Sequence, residues 1–176
     1  MLYAGVKDVR ILDGGWKAWS EANLPVERGM PPDVKPAPDF GAPIPGQPQL
    51  MIDMAQARGM LHRQDASLVS IRSWPEFTGE TSGYSYIKPK GEIAGARWGH
   101  AGSDATHMED FHNPDGTMRS ADDIAAMWKS WNILPEQHVA FYCGTGWRAS
   151  EGFMYARAMG WKTISVYDGG WYEWSS

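Results

Sequence analysis

A stretch near the start of the chain, GVKDVRILDGGWKAWSEA from Gly5, returns near its end as GWKTISVYDGGWYEWSS from Gly160. The offset is 155 residues, and both copies keep Asp-Gly-Gly-Trp followed by a second Trp three positions later. A repeat at fixed offset marks a recurring structural unit, and it decides the layout before any local propensity is weighed. The second copy closes a long globular stretch, whereas the first has no such stretch before it. The repeat therefore predicts that residues 1–29 are the C-terminal strand and helix of a preceding unit of the same kind. The chain then reads as a fragment of a tandem protein. Trp16, Trp19 and Ile11 of that first copy need cover, from the rest of the chain or from a neighbour.

Residues 30–49 hold seven Pro between Pro31 and Pro48. Such a segment sustains neither a helix nor a central strand and is expected to be an extended linker. Residues 50–176 form the main domain. No apolar run approaches the roughly 20 residues that span a bilayer, so no membrane partner is expected. The opening residues MLYAGVKDVR lack the apolar core of a signal peptide. A formal net charge of −5 argues against nucleic acid as a partner. One Cys excludes an internal disulfide and a thiolate-rich metal site, and the five His are scattered without helical pairing. Neither metal nor cofactor is expected.

Within residues 50–176, β-type runs at Leu68–Ile71, Ala96–Trp98, His138–Tyr142 and Thr163–Tyr167 alternate with helical patterns. That alternation predicts an α/β fold with a central parallel sheet flanked by helices. Asp53 is placed to cap a helix carrying Met54, Ala57 and Leu61. Ser120 caps another with Asp123 at its third position, before Ile124, Met127, Trp128 and Trp131 at helical spacing. A third helix runs from Ser150 to Met159 and stops at Gly160.

The single Cys143 falls at the carboxyl end of a strand, before a short loop and a helix start, where open α/β sheets bind ligands. Gly144 and Gly146 let successive N–H groups turn towards one point, and the helix terminus adds positive potential. Lowering a thiol pKa from about 8.5 to about 6.5 takes roughly 2.7 kcal/mol. A helix dipole supplies about 0.3–1 kcal/mol in most settings, so N–H groups on the sulfur must furnish the rest. A reactive thiol here needs a collar of main-chain donors.

CGTGWRAS resembles the active-site loop of rhodanese sulfurtransferases. SLVSIRSWPEF resembles that family's strand followed by Arg and Glu-Phe, GEIAGA its Gly-His-Ile-Pro-Gly-Ala box, and VYDGGWYEW its terminal motif. The match spans about residues 50–176, and the loop and repeated ending look most like the three-domain thiosulfate sulfurtransferases of enteric bacteria. The resemblance implies a rhodanese-like fold and an enzyme in which the Cys143 sulfur attacks thiosulfate and keeps a persulfide. Gly144, Thr145, Gly146, Trp147 and Arg148 would cradle that persulfide, and Arg72 would bind the anionic donor unless it only pairs with Glu76. Arg148 either pins the loop to Glu76 or touches substrate, and Trp147 either shapes the mouth or packs on the surface. Two departures stand out: Ser70 replaces a usual Asp, and Glu92 and Ala94 replace the His and Pro of the box.

Four residues separate Cys143 from Arg148. That is one fewer than in the related Cys-x5-Arg phosphatases, so the ring of donors suits a sulfur better than a phosphoryl group. The implied partners are thiosulfate and a thiol or cyanide acceptor, a sulfur-carrier protein among them. Alternatives are 3-mercaptopyruvate as donor, a sulfur relay, or a binding module without catalysis. The loop at 79–92 could cover the site or meet an acceptor protein, and Arg97 could add positive potential. The compartment is periplasmic by resemblance to the enteric relatives, or cytoplasmic.

Overall fold

The computed structural model describes residues 1–176. The first helix, α1 (Gly15–Glu21), belongs to the N-terminal copy of the repeat, and α2 (Met54–Met60) opens the main domain. Asp53 accepts from the Gln56 amide while the Gln56 side chain accepts from the Asp53 amide, so α2 starts in a closed capping box. Then follow β1 (Ala66–Ser70), α3 (Trp74–Phe77), β2 (Arg97–Trp98), α4 (Ala121–Ser130), β3 (His138–Tyr142), α5 (Trp147–Ala158), β4 (Ile164–Val166) and α6 (Gly170–Trp174).

The four strands are all parallel and lie in the order β2-β1-β3-β4, with Ser70 opposite Tyr142 and Phe141 opposite Val166. Every residue of β1 is buried, as a strand covered on both faces must be. Side-chain alternation divides the core. Val69, Ile71, Val139 and Phe141 face α4 and α5, meeting Ile124, Trp128, Ala149 and Phe153. Leu68, Ala140 and Tyr142 point the other way, against Ala57, Met60, Tyr167 and Trp171 of the α2 and α6 side. The order reverses between β1 and β3, so their carboxyl ends flank the crevice of the sheet.

The helix after Cys143 begins at Trp147, three residues earlier than the spacing predicts. Gly146, at φ 91°, occupies the cap position in the left-handed region, which ends the loop after four residues. At the other end Gly160 is left-handed, and the amides of Gly160 and Trp161 bond back to Arg157 and Ala156 in a Schellman arrangement.

The N-terminal copy differs from expectation. Its helix forms, and Gly15 keeps the positive φ (56°) of Gly170 (54°), but no strand forms before it. The free edge of β4 is taken by residues 51–52, through the Met51–Val166 bridge and the Ile52 amide on the Val166 carbonyl. Leu2 and Val9 pack on the core, and Asp13 accepts from the Met118 amide. Cover remains partial: Trp16 is 66% exposed where its counterpart Trp171 is 7% exposed, and Ile11 is exposed too. Residues 30–47 contain neither helix nor strand.

Candidate functional site

Cys143 follows β3 directly and is fully buried. Its carbonyl accepts from the Trp171 amide (2.8 Å), and the Gly144 carbonyl accepts from the Tyr172 amide (3.1 Å). The first turn of α6 thus grips the loop by its oxygens. In a planar trans peptide the next N–H points opposite to the carbonyl, so these bonds turn the Gly144 and Thr145 amides away from α6. The amides of residues 144 to 148 donate to no group of the chain. Those of 147 and 148 are the free donors that any helix start leaves. The result is a short run of unpaired N–H groups directly after Cys143, at the positive end of α5.

Three glycines make this geometry, each for a different reason. Gly146 supplies the left-handed turn. Gly144 lets the Tyr84 ring lie against the backbone, since a Cβ there would fall inside that ring. Gly170 brings α6 close: a Cβ would sit 2.5 Å from the Cys143 oxygen and 2.7 Å from the Gly144 oxygen, at a φ of 54°. Gly170 and the amides of Trp171 and Tyr172 therefore orient the loop. Gly170→Ala is expected to cost about 1–3 kcal/mol through backbone strain and to rotate the loop amides. A thermal melt alongside a sulfur-uptake assay would show both losses together.

Arg148 is nearly buried and donates to both oxygens of Glu76, at 2.9 Å each, to the Asp104 carbonyl at 3.2 Å and to the Tyr84 hydroxyl at 2.8 Å. Of the two roles left open, pinning to Glu76 is the one the geometry realises. Its Nε has no partner in the chain. Burial pushes the Glu76 carboxyl up, but Arg148 and Ser73 outweigh it and hold the group below its ordinary range. Glu76 also caps α3, accepting from the Ser73 amide and hydroxyl. One carboxylate thus ties the helix after β1 to the helix after Cys143.

Arg72, expected to bind the anionic donor or to pair with Glu76, is engaged within the chain. It is fully buried, donating to the Gly91 carbonyl (2.8 Å), facing Glu92 at 3.4 Å and Glu76 at 3.5 Å, with its guanidinium over the Trp171 ring. Its hydrogen bonds and ring contact join α3, residues 91–92 and α6. The carboxylate absent at position 70 comes from Glu92, which accepts from the Ser70 hydroxyl (2.6 Å), the Ile93 amide (2.7 Å) and the Tyr142 hydroxyl. Burial raises the Glu92 carboxyl despite Arg72. Arg97 is engaged by Gln137, Ser67 and the Asn132 carbonyl at the far end of β1 and does not serve the site.

Tyr84 is the residue that the sequence did not single out. It sits in the loop at 79–92, and its ring closes over Gly144 while its hydroxyl accepts from Arg148. Burial and the neighbouring Cys143 push the phenol up to about 12, so it keeps its proton at neutral pH. Two cavities flank the loop. An apolar one of about 500 Å³ is bounded by Thr145, Gly146, Trp147, Leu2 and Met154. A polar one of about 410 Å³ runs from Tyr84 past Ser82, Ser73 and Ser103 to Asp104. Trp147 is 85% exposed at the rim of the first, so it shapes a mouth more than it packs.

Comparison with known proteins gives concordant matches. The profile of the rhodanese-like domain family covers residues 53–176. The chain is 85% identical over its whole length to thiosulfate sulfurtransferase YnjE of Escherichia coli (strain K12), covering 40% of that protein. The crystal structure of YnjE superposes with a TM-score of 0.95 over 99% of this chain and 42% of that one. Sulfur carrier protein TtuD of Thermus thermophilus is 27% identical over 99% of this chain and 61% of TtuD. EanB, solved as a cysteine persulfide with ergothioneine, is 49% identical with a TM-score of 0.94, over 99% of this chain and 41% of that one. The chain therefore spans about two fifths of YnjE and EanB and 61% of TtuD. EanB structures also carry substitutions of a tyrosine and a threonine. Tyr84 and Thr145 stand at the same offsets from Cys143.

Proposed function

Because the chain belongs to the rhodanese-like domain family, we propose that it is a thiosulfate sulfurtransferase working through a persulfide on Cys143. The Cys143 sulfur, as thiolate, attacks the outer sulfur of thiosulfate. The bond to the sulfonate breaks, sulfite leaves with the electron pair, and a Cys143 persulfide remains. A thiolate or cyanide then attacks the outer persulfide sulfur and restores the Cys143 thiolate, leaving an acceptor persulfide or thiocyanate. The amides of residues 144 to 148 hold the charge on the transferred sulfur at both stages. The observation that carries this reading is that the only thiol is followed by a loop whose amides, 144 to 148, have no partner in the chain. The test is intact mass after exposure to thiosulfate: a gain of one sulfur atom, removed by cyanide, is expected, and no gain would sink the proposal. A sulfur-carrier protein as acceptor fits the similarity to TtuD.

A second reading concerns the acceptor, and the position of Tyr84 favours it. EanB structures hold hercynine or ergothioneine. By that likeness an imidazole ring carbon would take the sulfur, its C–H becoming C–SH while the persulfide returns to the thiol. Such a step must move a proton at the ring, and a protonated phenol beside the persulfide is placed to do so. Tyr84→Phe is expected to change thiosulfate-to-cyanide turnover less than about threefold but to cut transfer to hercynine by about 10²-fold. Product analysis by mass spectrometry decides. If wild-type protein forms no thioimidazole, this acceptor is wrong.

A further inference from the structure

We propose that Arg148 is a catalytic residue for the donor half-reaction, its Nε–H holding a sulfonate oxygen of thiosulfate; this rests on the sulfur-transfer reading above. The starting observation is an unspent donor. Contacts to both Glu76 oxygens, the Asp104 carbonyl and the Tyr84 hydroxyl occupy the two Nη atoms of the buried guanidinium. Nε alone is left, enclosed and without a partner in the chain. A buried donor left unpaired costs stability, so one in an otherwise saturated group points to a ligand. Arg72 makes the contrast, since all three of its nitrogens donate to groups of the chain.

Planar geometry fixes where that donor points. Glu76 takes the guanidinium end-on, Oε2 on Nη1 and Oε1 on Nη2, so the outer hydrogens of the two Nη atoms meet Asp104 and Tyr84. Nε–H runs parallel to the outer hydrogen of Nη2. It therefore lies on the flank of Tyr84, whose ring rests against Gly144 of the Cys loop. The sulfur is near as well. After burial, its charge is the main influence raising the Tyr84 phenol, and it adds to the effect of Glu76 on the Arg148 guanidinium. Thiosulfate is a two-ended ligand. Its outer sulfur goes to Cys143 and the loop amides, so the sulfonate that leaves as sulfite needs a donor of its own. A cationic N–H beside the loop supplies one. A polysulfide chain has no oxygen to receive that bond and does not need it. Tyr84 also lines the polar cleft of about 410 Å³, which is large enough for an ion of this size.

Arg148→Lys keeps a charge facing Glu76 and removes the Nε–H. It is expected to raise KM for thiosulfate at least about tenfold, while kcat/KM with sodium tetrasulfide and the rate of Cys143 alkylation by iodoacetamide change less than about threefold. A residue that only supports the loop would move all three together. The contact is also read directly, from the arginine Nε–H resonances of isotope-labelled Cys143→Ser protein. Thiosulfate is expected to shift the Arg148 signal saturably, and sodium chloride at equal ionic strength to leave it in place. Equal losses with both donors, an unchanged KM for thiosulfate, or an Nε–H signal indifferent to thiosulfate would overturn the assignment. Wild type that takes sulfur from neither donor would defeat the transfer reading instead, and the titration would still decide the contact.

Discussion

Cys143→Ser is expected to remove sulfur transfer altogether, by at least about 10³-fold in turnover, or about 4 kcal/mol of transition-state stabilisation. The residue is fully buried, and serine is close in size, so the fold should survive with about 1 kcal/mol or less lost. What disappears is the covalent step. An alkoxide at this position cannot be generated by a few amides, because an alcohol is far harder to ionise than a thiol, and no adjacent side chain acts as a base. The variant should neither gain mass from thiosulfate nor release sulfite, and the wild type should release sulfite before any acceptor is added. Parallel lines in double-reciprocal plots for thiosulfate and cyanide would complete the case. Retention of a tenth of wild-type turnover by Cys143→Ser would mean that transfer is direct and that the buried sulfur is a packing residue.

The parallel sheet was legible because its signals are local. His138–Tyr142 was delimited correctly from its apolar run, and Asp53 and Ser120 cap the helices their spacing promised. The Cys-loop-helix junction was legible for the same reason, and its Arg148–Glu76 tie followed from the family pattern. What escaped depends on long-range placement. Arg72 looks like an anion binder when only the sequence around β1 is seen; that Gly91 and Glu92 enclose it follows from a loop returning across the sheet. Tyr84 is one aromatic among several in its loop, and only the approach permitted by Gly144 distinguishes it from Tyr86. The N-terminal copy shows the converse. Its turn and helix are encoded locally and form, while no strand, which would need a long-range partner, precedes them.

Glu76→Gln is expected to be the most damaging substitution to the fold. Glu76 lies fully buried between Arg148 and Ser73, so the amide leaves a buried guanidinium without a counter-charge. Breaking such a pair from one side costs about 3–5 kcal/mol. For a domain of this size that corresponds to a fall of about 10 °C in Tm. Because the folded-state carboxyl titrates below its ordinary value, its contribution is present above the unfolded-state value near 4.3 and fades as pH falls through the folded one. The gap in Tm between wild type and Glu76→Gln should therefore be full at pH 7 and narrow below about pH 4. Removing both charges separates stability from positioning. Glu76→Leu with Arg148→Met is expected to regain most of the lost Tm, since apolar replacements of buried pairs are often neutral. It should still lose sulfur transfer, because Tyr84 and the Asp104 carbonyl lose the guanidinium that meets them at the start of α5. A double variant that recovers both stability and turnover would show that the ion pair does no more than fill space beneath the loop.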